Sequence, residues 1–231
     1  MGERTTITGK DGAFGAYVAR PAKDKAPAVV VIQEIFGVNQ VMRDITDGLA
    51  GQGYLAICPD LFWRIEPGID ITDKTDAEWK RAFELFNAFD VEAGVQDIAA
   101  TLKHVRGDAG CSGKAGAVGF CLGGLLAFLT ATRTDSDGSV SYYGVGIENR
   151  VAEAEKLTRP LLMHIAEQDQ FVPKPAQQVI LQALKDHPHV EIHTYPGCDH
   201  AFARPGGQHY DDHAAKLAGG RTLQFFLRTL G

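Results

Sequence analysis

The sequence contains few cysteines, and they form no cluster. The four cysteines are Cys58, Cys111, Cys121 and Cys198. They include no C-x-x-C pair and no zinc-ribbon spacing, a pattern that favours reduced thiols in a cytoplasmic protein over a disulfide scaffold. A metal site formed by Cys198 with the histidines of residues 200–213 would match no standard ligand set. We therefore expect neither a metal nor a cofactor.

Basic blocks and long apolar runs are also lacking. The chain has 23 Lys and Arg against 29 Asp and Glu, a net charge of −6, so we expect no nucleic-acid partner and no anionic membrane partner. The longest apolar stretch, residues 120–131, is interrupted by glycines and is too short to cross a bilayer. Residues 1–6 lack the apolar core of a signal peptide, and their match to the loose M-G-x-x-x-[ST] lipidation pattern is attributed to chance. We expect a cytoplasmic protein that is a monomer or a weak dimer.

Strand and helix patterns alternate along the chain. A hairpin is predicted within residues 4–20, and a β-branched run at 28–32 is typical of a strand buried on both faces. Further strands are predicted at residues 54–60, 114–119, 139–144, 160–165 and 190–195. Helical spacing is found at residues 38–49, 79–86, 91–105, 122–129, 175–184 and 223–230. This order predicts one α/β domain over residues 1–231, with a mostly parallel central sheet and helices on both faces in three layers.

One strand-to-helix junction carries a candidate nucleophile. The segment Gly119-Phe120-Cys121-Leu122-Gly123 has the form G-x-nucleophile-x-G, in which a sharp turn projects the central side chain from the sheet. The following helix N-terminus favours a thiolate at that position. The alternative is a glycine-rich turn around a buried structural cysteine.

A cysteine nucleophile requires a base and a third group that orients the base. In α/β-hydrolase order the acid follows the nucleophile and the histidine comes last, each on a loop after a strand. Asp169 and His200 occupy these two places, and such loops converge at the carboxyl edge of a parallel sheet. The order predicts the triad Cys121, Asp169 and His200.

Other residues near these positions offer alternatives. Glu167 could orient the histidine in place of Asp169, which would then be a helix cap or a solvated loop acid. Asp199 adjoins His200 but would point elsewhere if the histidine faces the cysteine. His164 and His193 lie inside predicted strands and are expected to be ordinary sheet residues.

An oxyanion hole in this fold takes one N–H group from the residue after the nucleophile and one from a loop after an early strand. The first donor is Leu122, and we expect the second to be Ile35. Glu34 is unusual after so apolar a strand. Its carboxylate would disfavour a nearby thiolate or hold the thiol proton; the alternative is a surface acid paired with a residue such as Arg43.

Five segments of the sequence resemble the dienelactone hydrolase family (carboxymethylenebutenolidases) of the α/β-hydrolase superfamily. They appear in family order and span almost the whole chain: Gln33-Glu34-Ile35-Phe36-Gly37-Val38-Asn39, Gly119-Phe120-Cys121-Leu122-Gly123-Gly124, Tyr142-Tyr143-Gly144-Val145-Gly146, Gln168-Asp169-Gln170-Phe171-Val172-Pro173 and Asp199-His200-Ala201-Phe202-Ala203-Arg204. The resemblance implies a Cys-His-Asp triad that hydrolyses a small enol-lactone such as dienelactone to maleylacetate. It also implies that Glu34 holds the resting thiol and that Arg204 pairs with a substrate carboxylate.

The resemblance further implies a pocket lined by Tyr142, Phe36 and Phe86, but some positions depart from it. Trp79 stands where the family has a second substrate-binding arginine. Arg81 follows two residues later, and it either takes the place of that arginine or is a solvated residue on the helix. Phe83 replaces a pocket tyrosine, and Ala201 replaces a serine. These changes remove polar contacts to an anionic substrate.

The alternatives are therefore a broader carboxylesterase or thioesterase on the same triad, and a non-catalytic, ligand-binding member of the fold.

Overall fold

The computed structural model of the protein describes residues 2–231, and the lipidation pattern that begins at Met1 lies outside them. The described residues form eight strands and six α-helices. The strands are β1 (Glu3–Thr8), β2 (Ala13–Ala19), β3 (Ala26–Ile32), β4 (Leu55–Pro59), β5 (Cys111–Phe120), β6 (Ser139–Tyr142), β7 (Leu161–Ala166) and β8 (Val190–Tyr195). The helices are α1 (Gln40–Gly51), α2 (Asp76–Ala88), α3 (Val91–Arg106), α4 (Leu122–Arg133), α5 (Lys174–Leu184) and α6 (Asp212–Leu230).

The described strands form one sheet in the order β1-β2-β4-β3-β5-β6-β7-β8. The predicted hairpin is present as the antiparallel pair β1 and β2, and β2 also pairs antiparallel with β4. The pairs β3 with β4, β6 with β7 and β7 with β8 are parallel. Parallel strands separated by helices confirm the predicted α/β class with a mostly parallel sheet.

The chain divides into two compact units, one ending at Ala117 and the other beginning at Val118. In the first unit, the β-branched residues of β3 are fully buried, as their sequence predicts. Helix α1 begins after Asn39, whose side-chain oxygen accepts a hydrogen bond from the backbone N–H of Met42 at 3.2 Å. The single domain over residues 1–231 stays a prediction.

In the second unit, the registers of three parallel strands place aromatic and imidazole side chains next to each other. Tyr142 of β6 is opposite His164 of β7, which is opposite His193 of β8. Ala166, at the end of β7, is opposite Tyr195. The carboxyl ends of these strands carry the loops that contain the predicted acid and histidine.

The closing helix is the main difference from the predicted elements. Helix α6 begins at Asp212 rather than near Leu223, because Asp211 caps it by accepting a hydrogen bond from the N–H of Ala214 at 2.8 Å. Leu227, predicted on the apolar face, is 66% exposed. Two 3₁₀ turns at Ile147–Asn149 and Val151–Lys156 were not predicted. Within residues 2–231, no helix has the length and apolar character needed to span a membrane.

Candidate active site

The predicted nucleophile turn is present between β5 and α4. Cys121 is the single residue between the strand and the helix, with φ 57° and ψ −115°. A Cβ at Gly119 would lie 1.9 Å from the carbonyl oxygen of Gly123, so only glycine permits the turn to be this tight. At Gly124 a Cβ would lie 2.4 Å from the carbonyl oxygen of Tyr142, so glycine also lets α4 approach β6.

The strained backbone of Cys121 is held by hydrogen bonds on both sides. Its N–H donates to the carbonyl of Tyr142 at 3.1 Å, and its own carbonyl accepts from the N–H of Gly124, Leu125 and Val145 at 3.0, 3.3 and 3.3 Å. The side chain is at the N-terminus of α4, and the residue is 7% exposed. The free N–H groups of the first helical turn favour negative charge at this position.

Asp169 and His200 form a buried pair. An oxygen of the Asp169 carboxylate, Oδ2, lies 2.8 Å from Nδ1 of His200, and each residue is 4% exposed. The other oxygen, Oδ1, accepts hydrogen bonds from the backbone N–H groups of Phe171 at 2.8 Å and Val172 at 3.0 Å. Because both oxygens are engaged, the carboxylate is fixed in the orientation that presents Oδ2 to the imidazole.

The two alternative acids have other partners. Glu167 is near the Nζ of Lys174, at 3.7 Å. Asp199 accepts hydrogen bonds from the backbone N–H of His200 at 2.6 Å and of Gln170 at 3.2 Å, and its second oxygen is 3.1 Å from His209. Asp199 therefore stabilises the loop, whereas the acid that contacts the His200 ring is Asp169.

Electrostatic interactions favour a protonated His200. Burial lowers the pKa of the imidazole, but the negative charge of Cys121, the hydrogen bond to Asp169 and the side-chain contact with Cys121 outweigh it, and the pKa rises from 6.5 to about 10. Nε2 is buried and has no partner with full hydrogen-bond geometry among the described residues, so the sulfur acts on it mainly through charge. This arrangement suits a thiolate–imidazolium pair.

Two aromatic rings flank the imidazole edge to face. The ring centroids of Phe171 and Tyr143 lie 4.8 and 5.0 Å from that of His200. Phe171 is 38% exposed and Tyr143 is 2% exposed, so one ring faces solvent and the other is in the core. Such rings exclude water and interact favourably with a cationic imidazole.

The two adjacent tyrosines have different surroundings. The hydroxyl of Tyr142 is 2.7 Å from Thr222 Oγ1 in the core, and the role of Tyr142 as a pocket residue stays a prediction. The ring of Tyr143 contacts His200, and the backbone of Tyr143, directly after β6, has a positive φ of 37°. The sequence signal was the Tyr142-Tyr143 pair at the end of a strand, where neighbouring side chains point to opposite faces.

Arg204 lies on the same loop as His200. Its N–H donates to the carbonyl of Ala201 at 2.9 Å, which forms a tight turn directly after the histidine. The residue is 7% exposed. Its guanidinium has the planar donor geometry that pairs with carboxylates, and its role in binding a substrate carboxylate stays a prediction.

The remaining predicted residues belong to the first unit. Glu34, Ile35 and Phe36 directly follow β3 and are 1%, 5% and 1% exposed. Phe36 packs edge to face on Trp79 at 5.2 Å, and Trp79 stacks on Phe83 at 5.6 Å. The roles of these residues as proton holder, oxyanion donor and pocket residues stay predictions.

Two other predicted pocket residues lie on α2. Arg81 is paired with Glu66 and, at 3.2 Å, with Glu84. This places its guanidinium in a partly exposed ion-pair cluster and favours the solvated alternative. Phe86 is half-buried, and its carbonyl accepts a hydrogen bond from the N–H of Phe89 at 3.3 Å at the end of the helix. Across residues 2–231, no group of three or more metal-ligating side chains is found.

Comparisons with known proteins show the family of this chain. Residues 14–230 match the sequence profile of the Dienelactone hydrolase family. A protein of Azospirillum brasilense, provisionally named a carboxymethylenebutenolidase, is 57% identical over 228 residues, covering 96% of both chains. The carboxymethylenebutenolidase of Pseudomonas putida is 42% identical over 224 residues, covering 96% of this chain and 95% of the relative.

A solved structure extends the likeness to the backbone. A provisionally named dienelactone hydrolase of Klebsiella pneumoniae superposes with a TM-score of 0.84 at 28% identity, covering 99% of this chain and 98% of the other. Together with the strand order, this confirms the α/β-hydrolase fold predicted from the sequence.

Proposed function

Because the chain belongs to the dienelactone hydrolase family, we propose that it uses Cys121 to hydrolyse a small lactone or activated ester, with dienelactone (4-carboxymethylenebut-2-en-4-olide) as the leading substrate and maleylacetate as the product. Its enzyme class is carboxylic ester hydrolase. The observation that carries the proposal is the buried contact of 2.8 Å between Asp169 and His200, together with the effect of the Cys121 charge on the same imidazole.

The reaction begins with attack of the Cys121 sulfur on the lactone carbonyl carbon. The C–O bond of the ring breaks, and the enolate oxygen that leaves takes a proton from His200 Nε2. The product of this step is a thioester on Cys121 that retains the whole substrate, because the ring-opened enol remains attached to the acyl group. Asp169 holds Nδ1, so that Nε2 faces the reacting atoms.

The second half-reaction hydrolyses the thioester. His200, now neutral, takes a proton from water, and the hydroxide attacks the acyl carbon. The C–S bond breaks, the thiolate is restored beside the imidazolium, and the enol tautomerises to the ketone of the product. No cofactor enters this scheme.

Negative charge on the carbonyl oxygen develops in both steps. We assign one stabilising donor to the N–H of Leu122, the first residue of α4. Ile35 is the second donor predicted from the sequence. Glu34, by the family resemblance, would hold the resting thiol; when substrate arrives, the thiol proton passes to His200 Nε2, which gives the thiolate–imidazolium pair that reacts.

Substrate charge is the part of the proposal that depends on Arg204. A buried guanidinium four residues after His200 suits a substrate carboxylate. The alternative is a broader carboxylesterase or thioesterase, which is supported by the apolar stack of Trp79 on Phe83, where the family has polar residues. A small molecule is the partner in both cases.

The test compares dienelactone, a neutral aryl ester and a thioester as substrates of the purified protein, before and after alkylation with iodoacetamide. We expect fastest turnover of the anionic lactone and loss of all turnover when Cys121 is alkylated. Cys58→Ala, Cys111→Ala and Cys198→Ala should retain activity and sensitivity to the reagent. Full activity in Cys121→Ala would overturn the cysteine mechanism, and equal rates on charged and neutral substrates would favour the broader esterase.

A further inference from the structure

A chain of buried hydrogen bonds connects three strand ends of the second unit with α6. The hydroxyl of Tyr142 is 2.7 Å from Thr222 Oγ1, which is 3.0 Å from Nε2 of His164. Nδ1 of His164 is 2.8 Å from the hydroxyl of Tyr195, which accepts a hydrogen bond from Arg221 at 3.2 Å. We call Tyr142, His164, Tyr195 and Thr222 the Thr222 network. The mechanism proposed above makes no use of these side chains.

One donor in the network is fixed. The guanidinium of Arg221 can only donate, so the Tyr195 oxygen accepts from it. Both ring nitrogens of His164 have a hydroxyl partner, Nδ1 with Tyr195 and Nε2 with Thr222, so one nitrogen of the neutral ring donates and the other accepts. Burial, with the charges of His193 and Arg221, holds the pKa of His164 well below 6.5, and the residue is 1% exposed. The imidazole is therefore a neutral bridge within the core.

Backbone strain is concentrated at three residues of the candidate site. Among the described residues, three that are not glycine have positive φ: Cys121 at 57°, Tyr143 at 37° and Ala201 at 63°. Cys121 is the proposed nucleophile, Tyr143 packs on His200, and Ala201 follows His200. Such conformations cost free energy and persist only where surrounding contacts hold them in place.

Each strand residue of the network also holds part of the site through its backbone. The carbonyl of Tyr142 accepts from the N–H of Cys121 at 3.1 Å, and the carbonyl of His164 accepts from Tyr143 at 2.8 Å. The carbonyl of Tyr195 accepts from Glu167 at 3.1 Å, at the start of the loop that carries Asp169. The side chains anchor these three residues to α6, while their carbonyls anchor the nucleophile, the ring against His200 and the acid loop.

We propose that the Thr222 network positions the catalytic groups, with Thr222 as the central positioning residue, by fixing the strand ends that support the strained Cys121 and Tyr143. This inference rests on the proposed function. The hydroxyl of Thr222 bonds to Tyr142 and His164, and Thr222 acts through these two residues. Loss of its hydroxyl should therefore misalign the sulfur and the imidazole without changing the substrate pocket.

The test uses Thr222→Val, which removes the hydroxyl at nearly constant volume, and Thr222→Ser, which keeps it. Thr101→Val is the matched control, because Thr101 is 0% exposed and its hydroxyl donates to the Asp97 carbonyl at 2.7 Å, within α3. Two quantities are measured on each folded variant, and the protein concentration is determined by thiol titration. One is kcat and KM for ester hydrolysis, and the other is the pH profile of Cys121 alkylation by iodoacetamide.

We expect Thr222→Val to lower kcat about 10- to 100-fold, with KM changed by no more than about twofold, as for a catalytic group displaced by a fraction of an ångström. Its alkylation profile should differ from that of the wild-type protein, because the placement of Cys121 beside His200 changes. Thr222→Ser should restore both quantities, and Thr101→Val should change neither. If Thr222→Val does not fold, Tyr142→Phe and Tyr195→Phe, which remove the outer hydroxyls, should show the same two effects.

Lower thermal stability with wild-type kcat and a wild-type alkylation profile would overturn the inference, since the network would then be structural only. The alkylation profile does not depend on the substrate. If the wild-type protein hydrolyses none of the esters, the proposed function fails, while the profiles of Thr222→Val and Thr222→Ser still decide the role of the network.

Discussion

The Asp169 carboxylate contacts Nδ1 of His200 at 2.8 Å with one oxygen, while two backbone N–H groups hold the other oxygen. This carboxylate is therefore fixed before any substrate binds. A fixed acceptor at Nδ1 determines which ring nitrogen faces the sulfur and stabilises the imidazolium. Replacing the acceptor by a group of equal size tests this role without creating a cavity.

Asp169→Asn should lower kcat by about 10³- to 10⁴-fold, because an amide N–H directed at Nδ1 favours the wrong tautomer and removes the negative charge. The matched control is Glu167→Gln, since Glu167 contacts Lys174 instead of the imidazole. We expect the control to retain its activity. Steady-state kinetics on one ester would decide, and a larger loss in Glu167→Gln would exchange the roles of the two acids.

The titration of His200 should depend on Cys121. A negative sulfur at Cys121 raises the pKa of His200 from 6.5 to about 10, so that a thiolate there keeps the imidazole protonated at neutral pH. In Cys121→Ala the negative partner is absent and the lowering by burial is opposed only by Asp169, so the midpoint should fall. NMR of ring-labelled histidine measures both midpoints. An unchanged midpoint would mean that the sulfur carries no charge beside His200.

Arg204→Ala should impair anionic substrates selectively. Removing one partner of a buried carboxylate–guanidinium pair costs about 2–4 kcal/mol, which corresponds to about 30- to 1000-fold in kcat/KM. A neutral aryl ester has no carboxylate and should lose far less. Arg159→Ala, at an exposed position, is the control. Equal losses on both substrates would show that Arg204 only supports its loop.

The ion pair of Glu153 with Arg133 should make stability depend on pH. Arg133 donates to Glu153 at 2.7 and 2.6 Å and lowers the pKa of the carboxyl below 4.5. A lowered folded-state pKa stabilises the fold above pH 4.5, and this contribution is lost as pH falls through the folded value. Glu153→Gln should therefore cost about 1 kcal/mol at neutral pH and less in acid.

The control for this measurement is Glu155→Gln, which alters an exposed acid on the same 3₁₀ turn. Chemical denaturation at several pH values gives the free energy of unfolding of each variant. A cost for Glu153→Gln that does not shrink in acid would show that the loss is not electrostatic.

Much of the site could be predicted because its chemistry needs particular residues at fixed points of the chain. The elbow around Cys121 requires glycine two residues before it, and a Cβ at Gly119 would collide with the Gly123 carbonyl. Asp169 and His200 follow strands whose parallel pairing brings their loops to one edge of the sheet. Such local rules are visible in the sequence.

The remaining features depend on tertiary contacts. The Tyr142-Tyr143 pair indicates that the two rings point to opposite faces, but which of them packs on His200 depends on the fold, where Tyr143 has a positive φ. The Thr222 network joins residues far apart in the chain, and a lone threonine on a helix has no signal of its own. The sequence leaves Arg81 either a substrate contact or a solvated residue, and its ion pairs with Glu66 and Glu84, which favour the second, depend on the fold of the first unit.

The most direct test of the central claim, catalysis through an acyl-cysteine, is mass spectrometry of the enzyme quenched during turnover of dienelactone. A variant such as Asp169→Asn slows deacylation and should accumulate the intermediate. We predict an adduct on the peptide that contains Cys121, with a mass increase equal to that of the whole lactone, because ring opening loses no atoms. Continued hydrolysis by Cys121→Ala, or turnover by the wild-type enzyme with no adduct on Cys121 in any quenched sample, would contradict the account.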